Sequence, residues 1–172
     1  MALAIDYQER LMPVIADGDA VLERAEILLT GLQLLNIPLL ITRQYPKGLG
    51  DVVPGIKNIA AGVPVLDKIT FSACRDPYII DAARDMGRKN IIVCGVETHI
   101  CVLQTIMDFQ AAGFQTALVA DCVGSRRKSD KEIGIKRAMQ EGSLITCCET
   151  LLFELLGSAD NEMFKNISLL IK

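Results

Sequence analysis

The sequence predicts an α/β fold, a three-layer αβα arrangement around a six-stranded parallel sheet. Three observations lead there. Short apolar runs rich in β-branched residues alternate with amphipathic stretches along the whole chain, the order that right-handed βαβ crossovers require. The runs are apolar at consecutive positions, as in Ile91-Ile92-Val93-Cys94, which suits strands covered on both faces. The composition fits such a core, with 51% hydrophobic residues and no Trp. A chain of 172 residues is enough for one sizeable domain and too short for two ordinary ones, so residues 1–172 are expected to form a single domain.

Taken in order, Leu3-Ala4-Ile5-Asp6 is a first strand ending in a carboxylate. Asp19 opens an amphipathic helix through Leu22, Leu28, Leu32 and Leu35, and Asn36 stops it. Pro38 to Thr42 reads as the second strand. From Arg43 to Pro64 the chain is rich in Gly and Pro, too long for a simple connection and expected to be an irregular loop bordering a binding site. Val65-Leu66-Asp67 is the third strand, with Lys68 directly after it. Asp76-Pro77 marks a helix start running to Met86-Gly87.

Ile91 to Val96 is the central strand, and the helical spacing of Val102, Ile106 and Phe109 follows it. Thr98 is the expected N-cap of that helix, and Cys101 falls in its first turn. Thr116 to Ala120 is the fifth strand, ending at Asp121. Ser129 and Asp130 cap a helix to Glu141-Gly142, Leu144-Ile145-Thr146 is the last strand, and Glu149–Leu156 and Asp160–Ile171 are helical. Strands and helices in this order make a Rossmann-like sheet.

Composition excludes several functions. The net charge is −3, and the longest basic run is Arg126-Arg127-Lys128, so nucleic-acid binding by charge is not expected. No apolar run is long enough for a bilayer, and strand-like residues begin at Ala2, which predicts a cytoplasmic protein with no membrane association. Six cysteines in an otherwise intracellular composition are read as free thiols. A single His argues against a zinc site, and no metal or other cofactor is expected.

The chemistry lies where strand ends converge. In open parallel sheets, ligands bind at the carboxyl edge. Asp6, Lys68 and Cys101 all fall at that edge. A thiol at a helix start is expected to have its pKa lowered toward the thiolate, and the amides near Glu97 and Cys101 offer an oxyanion hole. Asp6 then serves as proton acceptor and Lys68 as the stabilising cation. Glu97 has two readings, substrate contact or a solvent-facing carboxylate. His99 reads as an exposed cap rather than a base, because position i−2 on a helix does not face the Cys. Gln8, Gln44, Tyr45 and Phe71 are candidate pocket-lining residues.

These residues carry a resemblance. Asp6 with Gln8, Lys68 with Phe71-Ser72-Ala73, and Gly95-Val96-Glu97-Thr98-His99-Ile100-Cys101-Val102 are similar, in order and spacing, to the three signature motifs of the isochorismatase-like cysteine hydrolases. The resemblance runs from Ala2 to about Leu156. It implies the isochorismatase-like hydrolase fold and an Asp-Lys-Cys catalytic triad. It also implies a cis peptide between Val96 and Glu97 that shapes the oxyanion hole. Gln44 and Tyr45 stand where nicotinamidases of that family carry metal ligands, so the resemblance is to the isochorismatase-domain-containing branch without that site. What it implies is a small-molecule substrate cleaved at an amide or carbamoyl C–N bond through a thioester, by a homo-oligomer. The alternative is a non-catalytic relative that binds or assembles. The tail residues Met163, Phe164, Ile167 and Leu170 are expected to contribute subunit contacts.

Overall fold

The computed structural model describes residues 1–172. Six strands form one sheet, β1 (Ala2–Ile5), β2 (Leu39–Gln44), β3 (Val65–Lys68), β4 (Asn90–Val96), β5 (Gln115–Gly124) and β6 (Leu144–Thr146). Their spatial order is β3-β2-β1-β4-β5-β6, and every pairing is parallel. The predicted α/β class and six-stranded parallel sheet are thus what the chain adopts.

Alternation along the strands divides the core into two layers. In β1, Ala2 and Ala4 face one layer while Leu3 and Ile5 face the other. The first layer is covered by α1 (Gly18–Leu34), α3 (Pro54–Ile59), α7 (Cys148–Leu156) and α8 (Phe164–Leu170), through Leu28, Leu32, Ile56, Leu152 and Ile167. The second is covered by α4 (Pro77–Asp85), α5 (Leu103–Ala111) and α6 (Lys128–Gln140), through Ile79, Ile106, Phe109 and Ala138. With both faces covered, the strands read as continuous apolar runs.

Local signals worked unevenly. Asp76 caps α4 by accepting the Tyr78 amide at 3.0 Å, with Pro77 at the first helical position. Asn36 ends α1 in the left-handed conformation, φ 54°. By contrast, α1 begins at Gly18 without a side-chain cap, and α6 begins at Lys128 rather than at a Ser129 or Asp130 cap. The stretch expected to be an irregular loop holds α3 and the single turn α2 (Pro46–Leu49), both too short to leave a periodic pattern. The tail packs in part on the chain's own core. Ile167 is completely buried, and Met163 and Phe164 pack on the layer that α1 covers. No helix is long and apolar enough to cross a membrane.

Candidate active site

The strand order reverses beside β1, which lies between β2 and β4. Ile5, the last residue of β1, pairs with Thr42 on one side and Gly95 on the other. Gly95 sits at φ 135°, and a Cβ there would meet the Ile5 carbonyl oxygen at 2.2 Å, so only glycine allows the two backbones to lie so close. Asp6 follows at φ 56°, a left-handed turn that aspartate tolerates better than most residues. The peptide between Val96 and Glu97 is cis.

The Asp6 carboxylate is fully buried. Its Oδ1 accepts the Thr42 hydroxyl at 2.8 Å and its Oδ2 accepts Lys68 Nζ at 2.6 Å. Lys68 is held by further acceptors, Gln44 Oε1 at 2.6 Å and the Phe71 and Thr70 carbonyls at 3.1 and 3.3 Å. An ammonium out of water needs this many partners. The Cys101 thiol lies close enough to feel both charges, Asp6 raising its pKa and Lys68 lowering it. Three residues far apart in the chain therefore share one closed site at the carboxyl edge, and Cys101 is only 7% exposed.

Cys101 does not sit in the first turn of an α-helix. Residues Thr98–Val102 form a wide helical turn ahead of α5. The amides of Ile100 and Val102 both donate to the Glu97 carbonyl, at 3.1 and 3.2 Å. Thr98 does not cap the helix; its hydroxyl donates to the Gly124 carbonyl at 2.8 Å. The expected lowering of the thiol pKa is reversed. Burial, and then the Asp6 charge, push Cys101 up to about 12, although Lys68 acts against them. Burial also lifts the Asp6 carboxyl above the usual carboxylate range, with Lys68 opposing. At neutral pH Cys101 is therefore a neutral thiol, beside a carboxyl whose pKa burial has raised.

The remaining expected residues divide. Gln8 is buried, and its amide is committed to backbone: Nε2 donates to the Gln44 and Gly50 carbonyls at 3.0 and 2.8 Å, and Oε1 accepts the Gln44 amide at 2.7 Å. It clamps the end of β2 rather than lining a pocket. Gln44 spends its own side chain on Lys68 and on the Ile69 carbonyl, the latter at 2.8 Å. Tyr45 and Phe71 are exposed at the rim, and Val96 is buried. Glu97 does not face solvent; Arg126 Nε lies 3.0 Å from its Oε1. His99 is not an exposed cap either. Its Nδ1 lies 3.0 Å from Ser125 Oγ, with Glu97 and Asp130 each 3.9 Å away.

Asp121 serves a structural network, accepting from Arg24 Nε at 3.1 Å and from the Cys148 amide at 2.8 Å. Residues that the sequence reading passed over include Thr42 and Thr105, whose partners are distant in the chain. A cavity of about 710 Å³ opens at the opposite edge of the sheet beside Arg88, Lys89 and Gln115, with no thiol or carboxylate in its lining. A smaller one of about 240 Å³ lies against Lys68, Thr70 and Asp76.

Comparison with known proteins agrees with the fold. The family described as "Isochorismatase domain" matches residues 1–150. The chain is 34% identical over 167 residues to the isochorismatase domain-containing protein 1 of Salmo salar, covering 97% of this chain and 59% of that protein. It thus spans about 59% of the length of that relative and of its Danio rerio counterpart. It is 35% identical over 171 residues to the secreted isochorismatase effector Isc1 of Phytophthora sojae, covering 97% of this chain and 81% of that one. Among solved structures, the MAR1 ribonuclease of Caenorhabditis elegans superposes with a TM-score of 0.93 at 34% identity, covering 99% of this chain and 88% of that one.

Proposed function

The chain belongs to the isochorismatase family, and from that premise we propose that it is a metal-independent cysteine hydrolase of a small amide or carbamoyl compound. The observation that carries the reading is the buried Asp6–Lys68 pair, at 2.6 Å, with both charges acting on the Cys101 thiol inside a site closed to bulk water. In this scheme Cys101 Sγ attacks the carbonyl carbon as its proton passes to Asp6. The neutral resting thiol fits a proton transfer coupled to attack, and the raised Asp6 pKa makes it the better base. The oxyanion is received by the Cys101 amide and the backbone beside Val96 and Glu97, each donor contributing about 3 kcal/mol. Asp6 returns the proton to the leaving nitrogen and a thioester remains. Water, giving a proton to Asp6, then cleaves the thioester and releases the acid, and Asp6 returns that proton to the departing Cys101 sulfur.

Lys68 opposes the rise that burial imposes on the Asp6 pKa. Gln44 orients Lys68, and Glu97, Tyr45 and Phe71 border the substrate. The packing of α8 onto the layer covered by α1 supports treating residues 1–172 as one domain. Six free cysteines support a cytoplasmic setting. Exposed Tyr45, Ile69, Phe71 and Tyr78 around the rim support a homo-oligomer.

The ribonuclease name of the Caenorhabditis elegans neighbour offers a second reading, but the site favours the first. Its central cation is a fully buried lysine already holding a carboxylate, and the exposed Arg126 beside it is paired with Glu97, where a phosphodiester backbone needs unpaired accessible positive charge. Ammonia release from a panel of small amides and ureido compounds tests the proposal. Turnover by the wild type and its loss in Cys101→Ala are expected. An intact fold with no turnover across the panel would mean a non-catalytic relative, and unchanged turnover in Cys101→Ala would exclude the thiol.

A further inference from the structure

Thr105, on α5, is completely buried. Its hydroxyl donates to the Cys101 carbonyl at 2.6 Å, the usual back-bond of a helical threonine to position i−4. The second bond is not local. The same oxygen accepts the Ala73 amide at 3.0 Å, from a segment 32 residues earlier. Ala73 opens a short helical turn (Ala73–Arg75) that directly follows the loop whose Thr70 and Phe71 carbonyls accept from Lys68 Nζ. That loop is closed on itself by Thr70 Oγ1 donating to the Ser72 carbonyl at 2.8 Å.

One hydroxyl therefore joins the loop that holds the ammonium to the turn that carries the thiol. A hydroxyl can donate and accept at once, which an isosteric valine cannot. We propose that Thr105 is a positioning residue that fixes Lys68 relative to Cys101, acting through the loop at Thr70 and Phe71. The proposal rests on Asp6, Lys68 and Cys101 forming one site. Without the Ala73–Thr105 bond the loop moves away, Lys68 loses half of its acceptor set, and its charge stabilises the Cys101 thiolate less.

The test is site-resolved alkylation by iodoacetamide, followed by peptide mass spectrometry between pH 7 and 9, with folding confirmed by circular dichroism. Below its pKa, a thiol whose pKa rises by one unit reacts about tenfold more slowly. Thr105→Val is expected to slow Cys101 about tenfold while the buried Cys94, Cys122 and Cys148 are unchanged, and Thr105→Ser is expected to restore the wild-type profile. Ala73→Pro removes the donor and sets a ring carbon against the Thr105 hydroxyl. Pro is at home at a first helical position, and Ser72 before it already has φ −71° and ψ 125°. This variant should slow Cys101 in the same way.

Faster labelling of all four buried thiols in Thr105→Val would reveal plain loosening of the fold and overturn the proposal. So would an unchanged Cys101 rate in either variant while Lys68→Met is slowed. If Lys68→Met itself leaves the Cys101 rate untouched, the shared site is wrong and the role of Thr105 falls with it.

Discussion

Lys68 Nζ lies 2.6 Å from Asp6 Oδ2, and neither side chain reaches solvent. Each charge is tolerable only because the other is there. Removing one partner of a buried pair usually costs about 3–5 kcal/mol. Lys68→Met is expected to lower stability by that amount in urea unfolding. The double variant Asp6→Asn/Lys68→Met should lose less than the sum of the single changes, since no unpaired charge remains. A Lys68→Met protein within about 1 kcal/mol of wild type would mean that the pair is solvated.

Alkaline pH should weaken the fold. Burial holds the Cys101 and Cys94 thiols up at about 12, against an ordinary value of 9.0. The folded state keeps protons that the unfolded chain releases, so stability falls as pH rises from about 9 toward 12, by up to about 1.4 kcal/mol per pH unit for each thiol. Cys101→Ala should flatten the fall of melting temperature across that window. A slope identical to wild type would show that Cys101 titrates normally.

Much of this was legible in the sequence. The six parallel strands and their succession along the chain, the carboxyl-edge position of Asp6 and Lys68, and the stop at Asn36 follow from apolar runs, strand-end positions and cap chemistry. The acidity of Cys101 was not legible. A helix-start position lowers a thiol pKa, but the opposing term is burial, and burial is set by residues far away in the chain. The same distance hid Thr42 and Thr105, whose partners lie 36 and 32 residues away. Gln8 looked like pocket lining because its position next to Asp6 was visible and its bonds to Gln44 and Gly50 were not.

Gly95 should tolerate no side chain. Its φ of 135° and the 2.2 Å approach of a Cβ to the Ile5 carbonyl leave only backbone to move. Gly95→Ala is expected to cost at least about 3 kcal/mol or to abolish soluble expression. Gly62→Ala, at φ 83° with open space around it, should cost about 1–2 kcal/mol. Equal melting temperatures for the two variants would contradict the close packing of β1 on β4.

Hydrolysis should not depend on a metal. Gln44 uses its amide on Lys68 and Ile69, and Tyr45 points outward, half exposed. Dialysis against a strong chelator is expected to leave turnover unchanged. Loss of turnover that zinc or iron restores would overturn this reading of the Gln44–Tyr45 segment.

The central claim is that Cys101 is acylated with Asp6 as its base, and acid-quenched peptide mass spectrometry during turnover tests it most directly. The account predicts a mass gain on the Cys101 peptide equal to the acyl part of the substrate, with none on the other cysteines and none in Asp6→Asn. Hydrolysis that proceeds with no adduct on Cys101, or with full acylation in Asp6→Asn, would contradict it.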